Sequence, residues 1–107
     1  GALFGAARNQ DYTATKAAIV SVVNGVAVEF ARYGVRANAI LPGWIGTEMT
    51  QAAQANDKFT EQVIARVPQR RWGRADEFGG IAVYLASDAS SFHSADAIVI
   101  DGGYSKF

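Results

Sequence analysis

The sequence predicts an α/β fold built on parallel strands, and three observations point to it. A long helical pattern, a glycine turn and a short apolar run follow one another over residues 11–41, the order of a parallel α/β layer. A second apolar run, Ala97-Ile-Val-Ile100, comes after further helical segments. Between the two runs, apolar residues recur at helical rather than alternating spacing.

The first element covers residues 11–33. Asp11 suits an N-cap. Ile19, Val23, Val26 and Phe30 recur at helical spacing with Ala27 beside them, and Gly34 suits the position just past the C-terminus. The abundance of alanine and valine suggests a helix covered on more than one side. Residues 35–41 read as a buried strand that Pro42-Gly43 stops. Residues 44–50 read as a loop, and 48–66 as helix broken near Asn56-Asp57. Residues 68–74 form a basic connector with Arg70, Arg71 and Arg74; Trp72 is expected to pack beneath it. Such a cluster is more often a solvated connector than a binding patch. A helix over 76–87 carries Phe78, Ile81, Ala82 and Leu85 on one face, and the strand 97–100 leads into a tight turn at Asp101-Gly102-Gly103.

About two strands and three to four helices do not close a core. Parallel strands are normally covered on both faces and flanked by further strands. The edge of the 35–41 strand is therefore expected to pair with other copies of the chain or with a segment N-terminal to it. With 107 residues, half of them hydrophobic and 19% charged, the chain is globular and at most one domain, 1–107, with no internal boundary.

The formal net charge of zero gives no electrostatic case for nucleic acid or an anionic membrane. No apolar run approaches the ~20 residues a membrane span needs, and the apolar start lacks the basic region of a signal peptide. There is no cysteine, hence no disulfide and no thiolate metal site, which fits a cytoplasmic location. No metal is expected. The single histidine, His93, reads as satisfied or exposed, without a partner of metal-ligand type at sensible spacing.

Tyr12-Thr-Ala-Thr-Lys16 is the stretch richest in chemistry. On a helix, residues four apart share a face. An ammonium beside a phenol stabilises phenolate and lowers the tyrosine pKa, which makes a proton-transfer device. Alone, the pair also fits an unremarkable exposed helix. Its company changes that weighting: Asn38-Ala-Ile-Leu-Pro-Gly-Trp-Ile-Gly-Thr47-Glu-Met follows a strand, Tyr84-Leu-Ala-Ser-Asp88 ends a helix, and Asp101-Gly-Gly ends the last strand.

In this order, these motifs resemble the C-terminal portion of a short-chain dehydrogenase/reductase over essentially the whole chain. The nearest flavour is the subfamily that includes the 3-oxoacyl-carrier-protein reductases and glucose dehydrogenases. The resemblance implies the C-terminal part of a Rossmann-like doubly wound parallel sheet whose N-terminal half is absent. It implies an NAD(P)-dependent oxidoreductase that transfers hydride between alcohol and carbonyl. Tyr12 would be the general acid/base. Lys16 would hold the nicotinamide ribose and lower the Tyr12 pKa. Pro42 and Gly43 would line the nicotinamide pocket, the Ile45 backbone would meet the carboxamide, and the Thr47 hydroxyl would reach the cofactor. Pro42-Gly43 also suits a plain strand-terminating turn. The segment after Thr47, with Met49 and the helix to Arg66, would be a mobile substrate lid, though a surface helix fits as well.

Ser94-Ala95 departs from the threonine-glycine pair usual in the family. The glycine-rich phosphate turn, the residue that selects NAD or NADP, the catalytic serine and the relay asparagine are not among these residues. The isolated chain is therefore expected to be a non-catalytic fragment that binds no cofactor tightly and folds by self-association. The resemblance implies a homodimer or homotetramer through helices 11–33 and 76–87 and the last strand.

Overall fold

The computed structural model describes residues 6–106, with side chains described from Thr13 onward. The contacts cluster into two compact units, Gly1–Leu41 with Ser91–Ile98, and Pro42–Ser90 with Val99–Phe107.

Helix α1, Ala6–Phe30, dominates the first unit and runs on as a 3₁₀ turn, Ala31–Tyr33. Helix already covers Ala6, so Asp11 is an interior residue and not the expected cap; Ala6-Ala-Arg-Asn-Gln10 contains nothing that opposes helix. The stop is as expected. Gly34 takes a left-handed conformation (φ 76°) and its N–H donates to the Ala31 carbonyl.

Apolar residues ring α1 rather than forming one stripe. Ala27 is buried, whereas Val22 is 65% and Val28 77% exposed. Thr13–Tyr33 is long and apolar enough to cross a membrane, by length and composition alone. The expectation that no stretch approaches that length is thus corrected, because Ser21, Asn24 and Gly25 break the run without lowering its average much. A core helix of a soluble domain passes the same test.

Strand β1 is Ala39–Pro42, shorter at its start than the 35–41 expected. The reason is visible in the bonding. Residues 36–38 grip the turn ahead of β4 (Ala97–Ile100) instead of extending a ladder. The Asn38 amide donates to the His93 carbonyl (2.9 Å) and its oxygen accepts from the Asp96 N–H (3.1 Å). The Arg36 guanidinium also donates to the His93 carbonyl. Ala95 donates to the Ala37 carbonyl and sits at φ 59°. His93 Nε2 lies 2.6 Å from Asp96 Oδ2, so the histidine does have an acidic partner, three residues on. No group of three or more metal-ligating side chains exists among the described residues.

Strands β1 and β4 form one sheet. Ala39 donates to Asp96 in the first unit and Gly43 donates to Ile100 in the second. The two bonds keep step along both strands, so they run parallel.

In the second unit, two further strands of two residues each, β2 (Ile45–Gly46) and β3 (Gly73–Arg74), pair in parallel. They add to the two strands the sequence announces. A 3₁₀ turn, Glu48–Thr50, leads into α2 (Gln51–Ala55) and α3 (Asp57–Ile64). The break between them is where expected: Asn56 caps α3 by accepting the Phe59 N–H. The Thr60 hydroxyl, 3.0 Å from the Ala53 and Gln54 carbonyls, ties α3 to the end of α2.

Val63 is fully buried and Val67 nearly so; with Ser90 they form the buried centre of this unit among the described residues. A 3₁₀ turn at Ala75–Phe78 starts α4, Gly79–Ala86, which ends at Ser87 as expected. Phe78, Ile81 and Leu85 are half-buried, but Ala82 is exposed, and Val83 is 70% exposed on the other side.

Candidate functional site

Tyr12 and Lys16, the pair expected from the sequence to transfer protons, belong to the first unit. Tyr12 and Lys16 both fall inside α1, one turn apart along the same face. The Tyr12 side chain lies outside the described residues. Lys16 is half-buried beside a shallow surface depression that it shares with Thr13, Ala17, Val20, Ser21 and Asn24.

Pro42, Gly43, Ile45 and Thr47 belong to the second unit, where they form one continuous loop at the carboxyl end of β1. Each bend of the loop has a cause. Pro42 is the last residue of β1 and has no N–H, and the next donor to β4 is the Gly43 N–H, which meets the Ile100 carbonyl at 3.0 Å. Gly43 then passes so close to Asp101 that a Cβ there would lie 2.6 Å from the Asp101 Cβ and 2.7 Å from its Cα. Only glycine allows that approach. Asp101 is held from the other side, its two carboxylate oxygens accepting the N–H groups of Gly103 (2.9 Å) and Ser105 (2.8 Å). The Asp101-Gly-Gly turn is thus structural, and it backs the loop.

Trp44 anchors the middle of the loop. Its ring meets Phe59, Trp72 and Tyr104 edge-to-face, at centroid distances of 5.8, 6.0 and 6.3 Å. Trp72 therefore packs below the connector, as the sequence suggests. A cavity of about 110 Å³ lies behind the loop, walled in part by Trp44, Ile45, Arg71 and Phe78. Ligand pockets span roughly 300–1,000 Å³, so this space is a packing gap.

Beyond Trp44 the backbone is pinned twice. Gly73 donates to the Trp44 carbonyl (2.8 Å), and Ile45–Gly46 pairs with Gly73–Arg74. Thr50 Oγ1 donates to the Ile45 carbonyl (2.9 Å) and accepts from the Thr47 N–H (2.8 Å). Thr47 itself is exposed, and its hydroxyl lies 3.5 Å from Thr50 Oγ1, too far for a strong bond.

Two of the three arginines of the basic connector are paired with carboxylates. Arg71 forks onto the Glu77 carboxylate at 2.6 and 2.8 Å, Glu77 Oε1 also accepts the Arg74 N–H, and the Arg74 side chain reaches Asp76. The Arg71 hydrogen bonds, then the Arg74 N–H, lower the Glu77 pKa from 4.5 to about 2. The Glu77 hydrogen bond and charge raise the Arg71 pKa. Arg70 turns back to the Ala65 carbonyl. The cluster is a connector and not a binding patch.

The sequence reading missed Thr50, Gln54 and the Arg71–Glu77 fork. Thr47-x-x-Thr50 has the spacing of a capping motif, which is the signal that could have found the first.

The model of the family described as Enoyl-(Acyl carrier protein) reductase matches residues 1–105. Gluconate 5-dehydrogenase of Gluconobacter oxydans (strain 621H) is 41% identical over 92 residues, which are 86% of this chain and 36% of that protein. A solved gluconate 5-dehydrogenase from Burkholderia cenocepacia J2315, in complex with NADP and tartrate, superposes with a TM-score of 0.83 at 38% identity. That match covers 90% of this chain and 38% of the other. A 4-hydroxyisoleucine dehydrogenase complexed with NADH gives 0.84 at 30% identity, over 90% and 40% of the two chains. The chain therefore spans well under half the length of these relatives, and the part it matches is the C-terminal side of a Rossmann-like sheet. With the loop after β1, the Tyr12-xxx-Lys16 helix and the closing Asp-Gly-Gly turn all in place, the chain belongs to the short-chain dehydrogenase/reductase family.

Proposed function

We propose that this chain forms the part of an NAD(P)-dependent oxidoreductase site that handles the proton and receives the nicotinamide. Tyr12 is the general acid/base: its phenol gives a proton to the carbonyl oxygen as the alcohol forms, or removes the hydroxyl proton in reverse. Lys16 favours the phenolate by its charge and holds the ribose hydroxyls. Pro42 and Gly43 line the nicotinamide, and the exposed Thr47 hydroxyl reaches it. The Ile45 backbone meets the carboxamide, and its carbonyl, which accepts from Thr50, keeps a second lone pair. Bound nicotinamide supplies or takes up the hydride.

The carrying observation is the Pro42–Thr47 loop, held at the carboxyl end of β1, where open α/β sheets bind ligands. The two gluconate 5-dehydrogenases among the relatives support a secondary alcohol of a polyhydroxy acid as substrate, with either NAD or NADP as cofactor. In an enzyme that joins this chain to a pyrophosphate-binding half, Tyr12→Phe should reduce turnover by roughly 10²–10⁴-fold with cofactor affinity retained. Turnover equal to wild type would overturn the assignment.

The 107-residue polypeptide by itself is proposed to be non-catalytic and to fold by self-association in the cytoplasm. No glycine-rich strand–turn–helix for a pyrophosphate lies within these residues. The apolar surface of α1, Val83 on α4 and Val99 on β4, 45% exposed, supports a homodimer or homotetramer through residues 11–33, 76–87 and β4. A well-folded monomer in light scattering would refute the self-association, and micromolar NAD(H) binding would count against the inactivity.

A further inference from the structure

We propose that Thr50, with Gln54, is a positioning latch that fixes the nicotinamide loop and couples its shape to the helices that follow. The proposal rests on the reading of Pro42–Thr47 as the cofactor loop. A threonine hydroxyl has one proton to donate and two lone pairs to accept with. Thr50 Oγ1 uses all three. It donates to the Ile45 carbonyl at 2.9 Å, with the Thr47 carbonyl an alternative acceptor at 3.1 Å. It accepts from the Thr47 N–H at 2.8 Å and from Gln54 Nε2 at 2.9 Å.

Gln54 Nε2 also reaches the Thr47 carbonyl at 3.2 Å. Its amide oxygen lies so near Gly46 that a Cβ there would approach it to 2.9 Å. Every residue from Ile45 to Thr47 is therefore touched by one of these two side chains. Gln54 sits on α2, and the Thr60 hydroxyl joins the end of α2 to α3. A movement of α2 and α3 cannot leave the loop unchanged unless the Thr50 bonds break. If Thr50 were only the third residue of a cap, its loss would loosen α2 without altering how the loop meets a nicotinamide.

The test compares Thr50→Val, which keeps the shape and deletes the hydroxyl, with Thr50→Ser, which keeps the hydroxyl. The first readout is amide hydrogen exchange at Thr47, with the buried Val63 amide as the folding control. Thr50→Val should speed exchange at Thr47 about tenfold while Val63 holds, and Thr50→Ser should restore protection. The second readout is steady-state kinetics in a two-part enzyme that joins this chain to a pyrophosphate-binding half: Thr50→Val should raise the cofactor KM about tenfold with kcat little changed, and Thr50→Ser should recover it.

Unchanged Thr47 exchange in Thr50→Val would overturn the latch. So would lost protection with an unchanged cofactor KM, or a serine variant that behaves like valine. If that two-part enzyme with wild-type Thr50 shows no NAD(P)-dependent turnover, the cofactor reading fails, and the exchange comparison, made on the chain itself, alone decides whether the latch holds the loop.

Discussion

Helix α1 of the first unit and the loop that follows β1 in the second are held in opposite ways. The loop is over-determined by its own unit: Gly43 is wedged against Asp101, Trp44 sits among three rings, and two side chains fasten Ile45 to Thr47. On α1, by contrast, Ala27 is buried while large apolar residues face outward. The comparison teaches that the loop after β1 is built locally, from turn chemistry and short-range bonds. A long helix such as α1, apolar all round, takes its position from whatever covers it.

The largest test of that contrast substitutes one valine in each region. Val63→Ala should cost about 2–3 kcal/mol in urea unfolding, since a fully buried side chain loses its contacts. Val28→Ala, 77% exposed, should stay within about 0.5 kcal/mol for the chain itself and weaken self-association instead. Equal costs would mean that α1 is as well covered as α3. Next comes Gly43→Ala, which should cost about 1–3 kcal/mol because the added carbon meets the Asp101 backbone, not a flexible side-chain tip. Differential scanning calorimetry would read it; a neutral result would show that the loop gives way where the bonding says it is rigid.

A smaller effect of opposite sign is expected in the first unit. Ala95 stands at φ 59°, a conformation that costs an L side chain roughly 1–2 kcal/mol. Ala95→Gly should therefore stabilise by up to about 1 kcal/mol, visible as a raised Tm. The smallest effect belongs to Glu77. Its folded pKa lies below its ordinary value, so its contribution is present above about 4.5 and fades as pH falls towards about 2. Glu77→Gln should lower stability at neutral pH, and the gap to wild type should close below about pH 2. A gap independent of pH would mean that the Arg71 fork acts through packing and not charge.

The parts of this fold legible in the sequence are those written in local chemistry. Gly34 marks the end of α1, Asn56 marks the joint between α2 and α3, and the run at 97–100 gives β4 residue for residue. The loop after β1 was legible because Pro42-Gly43 is a local stop. The β2–β3 pair was not, since two residues carry no periodicity and the partner lies far along the chain. Nor was the role of residues 36–38, which spend their polar groups on the turn around His93 rather than on a ladder. The Thr47-x-x-Thr50 spacing is a pattern that marks Thr50, but the role of Gln54 depends on three-dimensional proximity to the Thr47 carbonyl that no sequence pattern names.

The aromatic cluster around Trp44 has an optical consequence. Both tryptophans of the chain stand in it, 6.0 Å apart and nearly perpendicular, and both belong to the second unit. Indole emission therefore reports on that unit alone. Far-ultraviolet circular dichroism instead reads both units, since α1 lies in the first and α2, α3 and α4 in the second. A melt followed by the two signals at once becomes a built-in comparison of the units: superimposable curves mean one cooperative transition, and separated curves give each half its own midpoint.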